Sequence, residues 1–518
     1  MESNQIEAGM EPQLDVVIVG AGISGISAAC YLEKECPDNS YRVIEARESV
    51  GGTWDLFRYP GIRSDSDMHT FGFKFKPWTR PKAISDGPSI LEYLNEAVDE
   101  YQVRDNIDFG RRVTSAAWDS SSSTWLTTTL DEQGEVVQYR SRLLFMCSGY
   151  YRYAEGYTPE IPGLADFAGT VVHPQLWPQD LDYSGKRVAV IGSGATAVTL
   201  IPAMADEAEH ITMVQRSPTY ILSMPGKDRL ANLLNSILPA SWAYAITRWR
   251  NIRFQSYFYK QARKNPGKAR DYILKRLRKA LKPEIDVDKH FTPSYDPWTQ
   301  RLCLVPDSDL FNALNSGKAD VVTGNIKQVT ADGIEMTDGE KVEADIIVTA
   351  TGIQLEMLGG AEFFMDGDKL DFSEHFFYQG MMFSGVPNLI QTFGYINASW
   401  TLRADLNSMF VCELLKKMDA TDTDQCVPVL RQDEQGMQER DWVTDFNPGY
   451  FKRAMHLFPR QGDHAPWHNT QDYLLDLKLL KNGPSDDGVL TLKKSENRKP
   501  PELDPDAKSD KQSTDKAA

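Results

Sequence analysis

Leu14-Asp15-Val16-Val17-Ile18-Val19-Gly20-Ala21-Gly22-Ile23-Ser24-Gly25 stands near the start of the chain. Its first six residues are apolar apart from Asp15 and bounded by glycine, which predicts a parallel strand buried on both faces. The glycines follow in Gly-x-Gly-x-x-Gly spacing and lead into the helix-like Ile26 to Leu32. A second strand, Tyr41-Arg42-Val43-Ile44-Glu45, ends in an acid 20 residues after the last glycine. Strand, glycine turn, helix and acid in this register form a Rossmann dinucleotide fingerprint. Gly20, Gly22 and Gly25 let backbone N–H groups approach a pyrophosphate at a helix N-terminus, and Glu45 accepts hydrogen bonds from ribose hydroxyls.

Working outward, the same pattern recurs. Arg187 to Ile191 is a strand, Gly192-Ser193-Gly194-Ala195-Thr196-Ala197 a Gly-x-Gly-x-x-Ala turn, and His210 to Ser217 the strand after it. This one carries Arg216 where the first carries an acid. An arginine there pairs with a 2′-phosphate, so the second site is expected to prefer NADPH to NADH. Between the two fingerprints, Gly51 to Asp65 reads as a long loop with Trp54, Tyr59, Arg63 and Asp65, which can line the far end of the first cofactor. Arg112-Val113-Thr114 and Thr124 to Leu130 read as strands, and Leu143 to Gly149 as a buried strand ending in a glycine turn. Asp345 to Gly352 repeats that strand and turn, and marks a return from the second nucleotide unit to the first.

At 518 residues the chain needs more than one core. The expected fold is α/β, with two Rossmann-like dinucleotide-binding domains, the second inserted in a discontinuous first. The expected boundaries are 1–178 and 346–494 for the first domain, 179–345 for the second with a basic helical insertion at about 228–282, and a disordered tail at 495–518. A net charge of −17, from 56 basic and 73 acidic residues, argues against a nucleic-acid partner. Six scattered cysteines without a Cys-x-x-Cys pair imply neither a disulfide framework nor a metal site. The polar N-terminus and the lack of a run of 18 apolar residues imply a cytoplasmic protein. Within the insertion, Arg248 to Lys282 holds thirteen Lys and Arg against one acid, interleaved with aromatics. Such a patch is either a peripheral contact with an anionic membrane or a solvated helical face over the active site.

Phe167-x-Gly169-x-x-x-His173-x-x-x-Trp177-Pro178 lies between the two fingerprints, and it resembles the signature of the type I Baeyer-Villiger monooxygenases, within the class B flavin monooxygenases. The loop from Gly52 through Trp54 and Tyr59-Pro60-Gly61 to Asp65 resembles that family's second signature. His290 to Pro306 and Gly394 to Leu402 are most similar to the subgroup of the mycobacterial ethionamide-activating enzyme.

The resemblance implies FAD on Gly20, Gly22, Ser24, Gly25, Glu45, Thr53, Trp54, Asp55, Leu56, Asp65 and Val113. It implies NADPH on Gly192, Ser193, Gly194, Ala195, Thr196, Ala197, Val198, Arg216 and Ser217, with Arg63, Ser64 and Asp65 at the nicotinamide end. The matching catalytic arginine is Arg301, oriented by Asp65; Gln300 stands where many members carry Lys, which removes one contact with the NADPH phosphate. His173 is a candidate for proton transfer by residue type, whereas the resemblance implies that it couples the two domains. The implied reaction uses O2, forms a flavin C4a-peroxide, and inserts oxygen beside a ketone carbonyl through a Criegee-type adduct to give an ester or lactone. Hydrophobic sulfides or thioamides are expected further substrates. The alternatives are a flavin monooxygenase acting on sulfur or nitrogen centres or in long-chain alkane and ketone breakdown, and a non-catalytic nucleotide sensor. A flavin disulfide reductase would need a redox cysteine pair, which is missing near the first fingerprint.

Overall fold

The computed structural model describes residues 13–300, 302–444, 446, 448–485 and 487–495. The expected tail, beyond residue 495, and Arg301 therefore lie outside the described residues.

β1 (Leu14–Val19) is buried on both faces, and Val16, Val17 and Ile18 have no exposed surface. It turns at Gly20 into α1 (Ile23–Glu35), and β2 (Tyr41–Ile44) returns parallel to it. Three helices follow, α2 (Thr53–Leu56), α3 (Met68–Phe71) and α4 (Gly87–Glu100), the last capped by Asp86 accepting from the Ser89 amide. β3 (Ile107–Asp108) extends the sheet beside β2. β4 (Arg112–Asp119), β5 (Thr124–Leu130) and β6 (Val136–Met146) then form an antiparallel meander.

β6 begins well before the apolar run at Leu143. Its first half alternates in burial and pairs with β5, while Leu143 to Met146 are wholly buried and pair with β1. One strand thus carries two hydrophobic patterns, and only the second reads as a strand in sequence.

The second sheet is wholly parallel. β7 (Thr170–Val172), β8 (Arg187–Ile191), α5 (Ala195–Met204) and β9 (His210–Gln215) lead to β10 (Tyr220–Met224) and to three helices, α6 (Arg229–Ile237), α7 (Ala240–Lys264) and α8 (Pro266–Ala280). After α9 (Val287–Phe291), β11 (Leu302–Pro306) pairs with β10, and α10 (Asp309–Ser316) precedes β12 (Ala319–Thr323). A small antiparallel sheet, β13 (Ile326–Thr330), β14 (Gly333–Met336) and β15 (Lys341–Glu343), leads to β16 (Ile346–Thr349). The sheet order is β12-β9-β8-β16-β7. Both β7 and β16 belong to it, so this sheet takes in residues on either side of the breaks read at 178/179 and 345/346. Proline and glycine mark where the chain turns, not where its hydrogen bonds change sheet.

From β16 the chain recrosses to the first sheet, where β17 (Glu362–Met365) joins β4, β18 (Asp368–Lys369) forms the edge, and the strand Leu389–Gln391 joins β6. α11 (Trp400–Ala420) lies against α1.

Arg248, counted with the basic surface patch from sequence, is internal. Its guanidinium donates to the carbonyls of His69, Thr70 and Gly72 at 3.1, 3.0 and 2.7 Å and to Asp405 Oδ2 at 3.1 Å. Three carbonyl oxygens and a carboxylate satisfy a charge that burial alone would expel, and they tie α7 to α3 and α11. Asp405 also accepts from Ser27 Oγ on α1 at 3.2 Å and from the Lys74 amide at 2.9 Å.

Candidate functional site: two dinucleotide cradles on one cleft

The first cradle is built from backbone. Gly20 has φ +102°, and a Cβ there would stand 2.8 Å from the Cys147 carbonyl oxygen. A Cβ on Gly25 would stand 1.8 Å from the Gly20 carbonyl oxygen, so Gly25 serves the close packing of helix on turn. Gly22 caps α1 with no side-chain hydrogen bond, which leaves the first-turn N–H groups to an anionic ligand. At the end of β2, Glu45 is fixed by the Ala21 amide donating to Oε2 at 2.6 Å and the Arg47 amide donating to Oε1 at 2.9 Å. Burial pushes its carboxyl up, and these two amides oppose the shift.

The second cradle repeats the design. Gly192 has φ +139°, and a Cβ would stand 2.3 Å from the Ala350 carbonyl oxygen. A Cβ on Gly194 meets nothing within 4 Å, which leaves open space at the N-terminus of α5. Ser193 Oγ lies 2.9 Å from Thr219 Oγ1 and donates to the Ser217 carbonyl at 3.2 Å. Arg216 is exposed just beyond β9, and no carboxylate among the described residues pairs with it.

Both cradles open on a single cleft of about 1200 Å³. Its walls include Gly20, Gly22, Ser24, Glu45, Thr53, Trp54, Arg63, Ser64, Asp65 and Val113 from the first unit. The second contributes Gly192, Ser193, Gly194, Ala195, Thr196, Val198, Arg216 and Ser217. Two uncapped helix N-termini, an acid at one end and a free guanidinium at the other fit two dinucleotides.

Four residues read as cofactor contacts lie off the cleft walls. Gly25 is taken up by Gly20, and the Asp55 carboxylate by Arg47 and Arg58. Leu56 and Ala197 pack into the apolar core of the second unit. Sequence spacing marks a turn but does not distinguish its cofactor side from its packing side. Conversely, Tyr150, Tyr153 and Trp400 line the cleft and were not singled out from sequence. Trp400 stacks on Tyr150 with ring centroids 5.1 Å apart and donates to Ser24 Oγ at 2.7 Å. The aromatic run after the Gly149 turn is the signal that could have revealed the two tyrosines, whereas Trp400 falls in the Gly394 to Leu402 stretch.

The loop expected at the far end of the first cofactor reaches the second unit. Gly61 packs so close to α5 that a Cβ would stand 2.5 Å from that of Ala203. Burial pushes the Tyr59 hydroxyl up to about 12, opposed by a hydrogen bond with Thr196, and Arg63 is ion-paired with Asp309 at the start of α10. Gln300 and Cys303, which flank Arg301, line the cleft.

His173 is engaged on both ring nitrogens. The Gln175 amide donates to Nδ1 at 3.2 Å, and Nε2 stands 3.2 Å from the Gly352 carbonyl, to which it donates in the neutral tautomer. A Cβ on Gly156 would fall 1.9 Å from the ring, so the imidazole is also clamped sterically. Burial pushes its pKa down. This geometry makes the ring a brace between the linker and the turn after β16, with no nitrogen left for proton transfer. Because the folded pKa lies below the unfolded value of about 6.5, the unfolded chain takes up the proton first as pH falls, and stability is lost on acidification. His173→Gln is expected to flatten the fall in melting temperature between about pH 7 and 5. An unchanged acid slope would show that the ring contributes nothing to it; buried His69 and half-buried His290 contribute in the same direction, so the variant reads one share.

Residues 13–382 match the model of the flavin-binding monooxygenase-like family. The chain belongs to that family. Among flavin-binding monooxygenase-like proteins, it is 49% identical to the FAD-containing monooxygenase EthA of Mycobacterium tuberculosis (strain CDC 1551 / Oshkosh), over 94% of this chain and 99% of that protein. It is 48% identical to the probable FAD-binding monooxygenase AlmA of Acinetobacter baylyi, over 93% of this chain and 96% of that protein. A solved relative, an oxidized steroid monooxygenase bound to NADP, superposes with a TM-score of 0.67 at 25% identity, over 80% of this chain and 88% of that one.

Proposed function

We propose that this flavin-binding monooxygenase-like chain is an FAD- and NADPH-dependent enzyme that inserts one atom of O2 beside a ketone carbonyl, giving an ester or lactone. The observation that carries the reading is the pair of dinucleotide cradles facing one cleft. FAD, reduced by NADPH, supplies the activation of oxygen.

The remaining chemistry falls to the protein. The α1 N-terminus and the Gly20 turn take the FAD pyrophosphate, and Glu45 accepts from its ribose hydroxyls. The α5 N-terminus takes the NADPH pyrophosphate, and Arg216 its 2′-phosphate. Arg301, assigned by the family resemblance as the matching catalytic arginine, holds positive charge against the substrate carbonyl oxygen as negative charge builds there. Asp65 is its assigned orienting carboxylate.

Arg216→Ala is expected to raise KM for NADPH about 10- to 100-fold, the value of a charge-assisted hydrogen bond, and to leave KM for NADH unchanged. Steady-state kinetics with both cofactors decide it; equal effects on the two would remove the phosphate contact. The reaction itself is tested by aerobic turnover of linear, cyclic and aryl ketones with NADPH, with products read by mass. An ester or lactone heavier than the ketone by one oxygen is expected. NADPH oxidation without such a product from any ketone would overturn the reading. In the same assay a sulfide or thioamide is expected to give its S-oxide.

A further inference from the structure

Nine of the sixteen large apolar side chains exposed among the described residues fall between Leu230 and Tyr272. That stretch contains every aromatic of the set: Trp242, Trp249, Phe254, Tyr257 and Tyr272. Surface apolar residues are ordinary when scattered; concentrated on one helical layer they mark a contact. Trp242, Ile246, Trp249, Arg253 and Tyr257 follow one another at helical spacing along a single face of α7, and Lys264 continues it. Tyr244, Thr247 and Arg248, on the opposite face, are buried. The neighbouring α6 adds Leu230, Leu233 and Ile237 at the same spacing, all exposed.

Charge identifies what covers this face. The chain carries −17 overall, yet α7 and α8 expose Arg253, Lys264, Lys268, Lys275 and Arg276. Arg253 lies over the Trp249 ring at 4.8 Å, and Arg276 over Tyr272 at 5.8 Å. Tryptophan and tyrosine with interleaved bases suit the headgroup level of a bilayer, where the ring enters the acyl boundary and the cation meets lipid phosphate. A second copy docked face to face would set these bases against themselves. Among the described residues no helix is long and apolar enough to cross a membrane, so the contact lies on the surface.

We propose that the α6–α7–α8 face seats the enzyme on an anionic membrane surface. The inner side of α7 carries the consequence: Ile252, Gln255, Ser256 and Tyr259 line a second cavity of about 310 Å³, and its wall residue Ala398 is also a wall of the main cleft. The docked helix thus separates lipid from the interior by its own thickness. Docking stands independently of the reaction proposed above.

The test is flotation of the full-length, FAD-loaded enzyme with vesicles of phosphatidylcholine alone and of phosphatidylcholine mixed with phosphatidylglycerol. Binding to the second, weakened by salt and accompanied by a blue shift of tryptophan emission, is expected. Trp242→Ser with Trp249→Ser, and separately Arg253→Glu with Lys264→Glu, are expected to weaken partitioning at least about tenfold while NADPH oxidation and melting temperature stay at wild-type values. Three results would overturn the proposal: no binding to phosphatidylglycerol vesicles, binding undiminished in both variants, or a lipid-free oligomer that the tryptophan variants convert to monomer.

Discussion

Arg301→Ala is expected to accept hydride from NADPH at close to the wild-type rate and to form ester about a thousandfold more slowly. A fixed positive charge about 4 Å from a developing negative charge contributes on the order of 4 kcal/mol at an effective dielectric near 20. At about 1.4 kcal/mol per decade, its loss accounts for roughly three decades of rate. Oxygen is still consumed, and hydrogen peroxide replaces the ester. Anaerobic stopped-flow reduction followed by product analysis separates the two halves of the cycle. Arg301→Lys keeps the charge but not the planar fork, and is expected to fall between the two. Full ester formation by the alanine variant would remove Arg301 from the chemistry, whereas failure of flavin reduction would make it a cofactor-binding residue.

The largest loss of stability is expected from Asp405→Ala. It leaves the Arg248 guanidinium buried against three carbonyl oxygens with no carboxylate to balance it. Breaking one side of a buried pair costs about 3–5 kcal/mol. For a chain of 518 residues that lowers the melting temperature by about 3–5 °C. Asp405 also accepts from α1 and from the Lys74 amide, so the loss reaches the first cradle, and FAD content is expected to fall with stability. Arg248→Met combined with Asp405→Leu removes both charges and is expected to recover most of the melting temperature. A single variant that melts like the wild type would show the pair to be dispensable.

The two fingerprints were legible because glycine is required where Gly20 and Gly192 take positive φ and approach a neighbouring carbonyl. Such positions leave a mark that depends on no distant residue. The parallel strands were legible for a similar reason, since burial on both faces leaves only apolar side chains. β6 shows the limit: half of it alternates, so half looked like loop. The role of Arg248 was not legible, because a buried arginine and a surface arginine are the same letter until the carbonyls of residues 69 to 72 and a carboxylate more than a hundred residues away are brought around it. The resemblance implies a cofactor contact at Asp55, and the structure shows its carboxylate paired with Arg47 and Arg58, both within eight residues.

The chain enters and leaves the second sheet through neighbouring segments. Tyr151 bridges Leu355, the Tyr157 amide donates to the Gly352 carbonyl at 3.0 Å, and His173 reaches that same carbonyl. The entering and leaving segments, neither of them a strand here, thus lie side by side and share one carbonyl as a common acceptor. The same adjacency has a genealogical meaning: a module whose ends meet can be gained or lost by a one-cofactor ancestor without re-routing any strand.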